Sequence, residues 1–207
     1  MAAFPRAVPP ASVTYPKVIG PLISIGQSGA VQTRSEAAQG RTWTETWPVL
    51  PAGSEDVQEL LTTIESLYST GTSSTLTHYL LPGSGKARHG TGGGAPRVNA
   101  ASQSGSSLVT ENWTTEAANR MKAGDCFTIA GLTVLFRVTA DATSSTSTNA
   151  QTLAILPPIL AGSSPDDEAV LTISGALMTA VIIDYAMPSA GPSEFIAGLK
   201  VTFRETA

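Results

Sequence analysis

Two periodicities divide this chain. Over residues 54–68 apolar side chains return every third or fourth position, at Val57, Leu60, Leu61, Ile64, Leu67 and Tyr68. That spacing predicts one amphipathic helix over 54–69 with a single stripe turned toward a sheet. Both ends agree with it. Ser54 is suited to cap the free N–H groups of the first turn, Glu55 and Asp56 suit the positive end of the dipole, and Gly71 suits the left-handed position past the last turn.

Elsewhere the period is two. Phe127 and Ile129 share a face, Ala130-Gly131 can turn the chain, and Val134, Phe136 and Val138 repeat on alternate positions, which predicts a hairpin. Ahead of it, Lys122-Ala-Gly-Asp125 reads as a tight turn in which Gly124 takes the left-handed conformation and the Asp125 side chain bonds turn backbone groups. Leu153 and Ile155 precede Pro157-Pro158, where a strand is expected to stop because proline donates no ladder hydrogen bond. The segment 169–187 supplies one or two buried strands, and its apolar run 176–183 reads as a core element. Phe195, Ala197, Leu199, Val201 and Phe203 alternate with Lys200, Thr202 and Arg204, a half-exposed strand. Trp43 and Trp47, four apart around Glu45, fall on one strand face and suit core or interface packing.

One helix among many short strands predicts a mainly β fold, a barrel or sandwich-like domain. Residues 1–40 hold Pro5, Pro9, Pro10, Pro16 and Pro21 without sustained periodicity. They read as an extended arm and first strand, unable to pack a core alone and able to gain order on a neighbour. Residues 41–207 then form a single β-rich domain. Two loops interrupt it. The glycine-dense stretch 82–96 is too flexible to be a strand and is expected to project or to order against a partner; 141–149 reads as a polar hairpin tip. Pro9, Pro10 and Pro16 of the arm, with Lys86, Arg88 and Arg97 of the loop region, are the candidate contact residues. The arm's prolines reduce the entropy lost on docking, and the three cations offer donors to carboxylates.

Composition narrows the function classes. Charged residues make up 14% of the chain, against about 25% in ordinary globular proteins, so much of the surface is Ser, Thr, Gly, Ala and Pro, as suits a surface covered by neighbouring subunits. The net charge of -4 gives no electrostatic footprint for nucleic acid, and direct contact with it is not expected. The start MAAFPRAVPP lacks the basic end and apolar run of a secretory signal, so function without export is expected. No apolar stretch approaches the roughly 20 residues of a membrane helix.

The residues that could carry chemistry do not assemble into a signature. Cys126 is the single cysteine, which excludes an intrachain disulfide and a CxxC zinc site, and reads as a small buried hydrophobe. Gly83-Ser-Gly-Lys86 resembles the end of a phosphate-cradling loop, but Ala87 stands where Ser or Thr must hold magnesium and Leu80 where the first glycine belongs. Only His78 and His89 are present, no GxSxG surrounds a serine, and Asp166-Asp167-Glu168 reads as a solvated loop. His78 reads as a strand histidine. No catalytic, metal or cofactor residue is assigned.

The running order Arg41-Thr-Trp-Thr-Glu-Thr-Trp47, helix 54–69, residues 71–80, Asn99-Ala-Ala-Ser-Gln-Ser-Gly-Ser-Ser-Leu108, Trp113, Lys122-Ala-Gly-Asp-Cys-Phe-Thr-Ile129, Phe136-Arg-Val-Thr-Ala-Asp141 and Thr152-Leu-Ala-Ile-Leu-Pro-Pro158 resembles that of small phage tail proteins. The family in view is the distal tail protein, the adaptor ring joining tail tube to tip in non-contractile tails. The resemblance runs from about Gly26 to Pro158, and each motif is short and structural. It implies a non-enzymatic virion protein, made in the host cytoplasm and built into the tail tip. It further implies a homo-oligomeric ring, sixfold on a long tail, against adjoining tail proteins. Other stations stay open: tail tube, tail completion or head decoration. So does a host-surface binding module using Trp113, Tyr79 and the loop 82–96.

Overall fold

The computed structural model describes residues 3–16, 22–25, 31–34, 40–114, 119–142, 150–186, 189–190 and 195–206. In chain order the strands are β1 (Ser12–Val13), β2 (Leu22–Ile25), β3 (Val31–Arg34), β4 (Thr42–Pro51), β5 (Ser74–Leu76), β6 (Gly94–Val98) and β7 (Gly105–Trp113). They continue with β8 (Cys126–Ile129), β9 (Leu135–Val138), β10 (Gln151–Ile159), β11 (Leu171–Thr172), β12 (Met178–Ala186), β13 (Ser189–Ala190) and β14 (Phe195–Glu205). One α-helix, α1 (Glu55–Thr70), interrupts them between β4 and β5. The chain is mainly β with one helix, as its periodicities predict. Contacts gather it into two compact units, Met1–Leu76 with Thr179–Ala207, and Thr77–Met178.

The first unit is a sheet in the order β1-β4-β14-β12-β5, with β13 added along β14; β2 and β3 pair separately. Strands β4 and β14 run antiparallel from Phe195 opposite Pro51 to Arg204 opposite Thr42. Trp43 and Trp47 are both buried, and Trp43 stacks on Phe203 at 5.3 Å between ring centroids. Helix α1 buries Val57, Leu60, Ile64 and Leu67 of the predicted stripe and half-buries Leu61, while Tyr68 at its margin stays exposed and meets Tyr185 edge-on at 4.8 Å. Gly71 closes the helix at φ 62 as expected, but Ser54 makes no side-chain cap. Its carbonyl accepts from the Gln58 N–H, while the Gln58 side chain reaches back to the Ala52 carbonyl.

The last strand departs from simple alternation. Leu199, Val201 and Phe203 are buried, but Phe195 is 53% exposed and Ile196 takes the inward place. Strand β4 changes face at the same level: Trp47 is buried, Val49 exposed, Leu50 buried. Between the pairs Ala197 with Val49 and Leu199 with Trp47 lie Gly198 and Pro48. Gly198 has φ 85, a conformation that breaks the two-residue repeat and that only glycine enters without strain.

The second unit is a sheet in the order β11-β8-β9-β10-β7-β6. Its two ends meet: Arg97 bridges Val170, the Val98 N–H bonds the Ala169 carbonyl at 2.9 Å, and the Glu168 N–H bonds the Val98 carbonyl at 3.0 Å. The result is a nearly closed barrel, which leaves little sheet edge unpaired. Leu108, Phe127, Ile129, Phe136, Val138, Leu153 and Ile155 belong to its buried core, and Phe127 stacks on Phe136 at 5.8 Å. The predicted hairpin is present, with Phe127 opposite Phe136 and Gly131 at φ 86. Strand β10, however, does not stop at Pro157-Pro158 but runs to Ile159. Its register with β7 shifts between Ala154 and Ile159, so the prolines lie in an irregular stretch where no ladder donor is required of them.

Candidate contact surfaces

The arm is extended, and its described part lies along its own unit. The Phe4 N–H bonds the Thr75 carbonyl at 2.9 Å beside a parallel bridge from Ala3 to Thr75. Eight residues on, Ser12 and Val13 pair with Thr46 and Glu45 of β4. Since β4 and β5 are separated in the sheet by β14 and β12, this segment is a strap reaching from one side of the sheet to the other. Between its two ends it is held by side chains. Phe4 is buried and sets its ring edge-on to Phe203 at 5.3 Å, and the Trp47 indole N–H donates to the Val8 carbonyl at 3.1 Å.

The strongest tie is ionic. Glu45 is fully buried between Trp43 and Trp47 on the inward face. Arg6 forks onto both its carboxylate oxygens, and the Trp43 indole N–H donates to Oε1 at 3.2 Å. A buried carboxylate without such partners is heavily destabilising. Of the proposed arm contacts, Pro9 is exposed, Pro10 half-buried and Pro16 buried. The arm residues 17–21, 26–30 and 35–39 lie outside the described residues.

The glycine-dense loop is bound into the second unit, with Gly85, Lys86, Ala87 and His89 left exposed. Asp125, fully buried, accepts from the His89 N–H at 2.7 Å, the Gly90 N–H at 2.8 Å and the Lys122 N–H at 2.9 Å. Its own N–H bonds the Lys122 carbonyl, and Gly124 has φ 98, completing the predicted turn. Thus one carboxylate ties the turn before β8 to the loop 82–96. Glycine is required where the loop touches: a Cβ on Gly83 would stand 2.2 Å from the Cys126 carbonyl oxygen, and one on Gly90 would stand 2.4 Å from that of Arg120. The glycines act as points of close approach instead of hinges.

The loop cations differ in their use. Lys86 is exposed. Arg88 is half-buried and donates to the carbonyls of Gly90 and Thr91 at 3.1 Å each. Arg97 lies 3.5 Å from Glu168. The acidic run is engaged as well, since Asp167 accepts from the Ala100 N–H at 2.8 Å. His78 stands in the turn after β5 and not in a strand; its carbonyl accepts from Gly85 and its Nδ1 from the Leu80 N–H. His89 Nδ1 lies 3.7 Å from Asp125, but that carboxylate is already committed to three backbone donors. Trp113, a candidate platform for a glycan, is buried and donates to the Thr110 hydroxyl at 2.8 Å, so it offers no exposed face for stacking. The hairpin tip expected over 141–149 lies, from 143 on, outside the described residues.

Four charged residues escaped the reading of motifs: Arg6 with Glu45, and Arg41 with Glu205. The last two are a buried fork at 2.7 Å on each side. For Glu45 a signal existed, because parity places it on the face of Trp43 and Trp47. For Arg41 and Glu205, 164 positions apart, none did. Arg120 is also buried, donating from Nη1 to the Gly92 carbonyl at 2.8 Å. Among the described residues no three His, Cys, Asp or Glu side chains gather as a metal site, and no helix is long and apolar enough to cross a membrane. No family model and no curated protein matches the chain.

Proposed function

We propose that this protein is a structural component of a phage particle, a ring-forming subunit of the tail tip that joins tube to tip, acting by geometry and not by catalysis. The observation that carries the reading is where the resembling motifs fall. Asn99–Leu108 leads into β7, Trp113 ends it, Lys122–Ile129 forms the turn and β8, Phe136–Asp141 runs through β9, and Thr152–Pro158 lies in β10. The part of the resemblance from Asn99 to Pro158 thereby falls on consecutive strands and turns of one barrel, while Arg41–Trp47 and the helix belong to the other unit. The buried acids of the two units fit the same reading: Glu45, Asp125 and Glu205 are each spent on holding chain segments together.

Low surface charge suits subunits that cover one another. The neighbours on this reading are copies of the chain and the adjoining tail proteins. Sedimentation velocity of the purified protein, with negative-stain imaging, tests it. A closed ring of defined mass is the expected result. A monomer at high concentration, or turnover of peptidoglycan, nucleotide or ester, overturns it.

A further inference from the structure

We propose that one end of the barrel binds a small carboxylate, held by the side-on edge of the Arg120 guanidinium and by the side-chain amide of Gln151. Such a site does not depend on the assembly reading.

Two buried polar side chains carry it. Arg120 is 2% exposed and Gln151 5% exposed. The guanidinium donates from Nη1 to the Gly92 carbonyl. Its Nε and Nη2 have no partner among the described residues, and no described carboxylate forms an ion pair with it. Nε–H and Nη2–H point the same way along one edge of the guanidinium plane, the edge that grips both oxygens of a carboxylate in parallel. Gln151 leaves both ends of its amide, Nε2 and Oε1, unpartnered among the described residues. Arginine keeps its charge when buried, and a buried charge or amide without partners is strongly destabilising. A bound carboxylate supplies the counter-charge and the acceptor oxygens that these donors lack.

The topology brings the two side chains to the same end of one apolar interior. Neighbours in the order β8-β9-β10-β7 are antiparallel, so β8 and β10 begin where β9 and β7 finish. Gln151 is the first residue of β10 and shares the inward parity of Leu153 and Ile155. Arg120 lies between β7 and β8, next to Met121, which bridges Ala142 just past the end of β9. The mouth of a barrel, apolar with a few convergent polar groups, is a common place for a small ligand. The arginine is also fixed in advance. A Cβ on Gly93 would stand 3.1 Å from its Nη1 and 2.3 Å from the Thr114 hydroxyl, so the loop lies directly against it. Charge selects the ligand class: one guanidinium balances a singly charged carboxylate, whereas phosphate at neutral pH would leave surplus negative charge in an apolar interior. The near-complete enclosure of both side chains favours a small molecule over a segment of another chain.

The test observes the two side chains directly. Full-length protein labelled with nitrogen-15 is dialysed into chloride buffer and titrated with sodium acetate, sodium chloride or sodium phosphate at constant ionic strength, while the Arg120 Nε–H and Gln151 amide resonances are followed. Acetate is expected to shift both along one saturating curve, and chloride neither. Arg120→Lys keeps the charge but loses the fork, and should weaken the acetate response of Gln151 about tenfold. Gln151→Leu, an apolar replacement in an apolar interior, should keep the barrel's backbone spectrum and weaken the response of Arg120 several-fold, so the test stands even if Arg120→Lys does not fold. Equal responses to acetate and chloride, or no response to either, would overturn the site. A phosphate curve that saturates at lower concentration than acetate would overturn the carboxylate class.

Discussion

Each of the two units buries one carboxylate completely, and they satisfy it by opposite means. In the barrel of residues 77–178, Asp125 is held by three backbone N–H groups, one of them from its own turn. In the other unit, Glu45 is held by the side chain of Arg6, 39 positions away, and by a neighbouring indole. The barrel is one continuous stretch of chain; its partner is assembled from the first 76 residues and the last 29, and a second buried pair, Arg41 with Glu205, ties those ends together. A carboxylate bound by backbone N–H groups fixes the course of the main chain itself, here joining the turn at Lys122 to the loop at His89 and Gly90. A carboxylate bound by side chains fixes a connection that a single substitution, such as one at Arg6, can remove.

The comparison is sharpest at Arg6. Arg6→Ala leaves Glu45 buried without its cation and should cost about 3–5 kcal/mol in urea unfolding. The paired change R6M/E45M removes both charges and should recover most of that loss. Deleting residues 1–16 should therefore lower stability as well as impair assembly, since it removes Phe4 together with Arg6. A deletion that leaves the melting curve unchanged would falsify the account of the strap.

Next in size is Asp125→Ala, expected to cost about 3 kcal/mol because it strips three backbone donors of a charged acceptor. Its signature should be local: faster amide exchange at His89 and Gly90, with the first unit unaffected. Asp125→Asn, which keeps an acceptor, should cost less than half as much. Equal exchange rates in both variants would show that the carboxylate is not the hub of the loop.

Gly198→Ala tests the face change of β4 and β14. A methyl group there meets nothing within 4 Å, so the cost is that of a positive φ alone, about 1 kcal/mol. A much larger loss would mean that the inversion of Phe195 and Ile196 depends on packing. The smallest effect belongs to Ser54→Ala, a few tenths of a kcal/mol at most, because no side-chain cap exists to be lost. A loss near 1 kcal/mol in thermal melts would restore the cap predicted for it.

What could be read directly was local. The stripe of α1, the left-handed Gly71, the turn at Gly124 and Asp125 and the hairpin of β8 and β9 each depend on residues within a few positions of one another, and their periodicity or turn chemistry survives in any environment. The sequence by itself thus determined a mainly β chain with one helix, and most core positions of α1 and of the β8–β9 hairpin. Only the tertiary structure decided that the glycine-dense loop packs under Asp125, that the arm is a strap, that Phe195 faces outward, and that the chain divides into two units. Each of these turns on groups brought together from far apart along the chain. Glycine permits many conformations and proline fixes only its own φ, so the course such a segment keeps depends on the distant donor, acceptor or ring that the fold places against it.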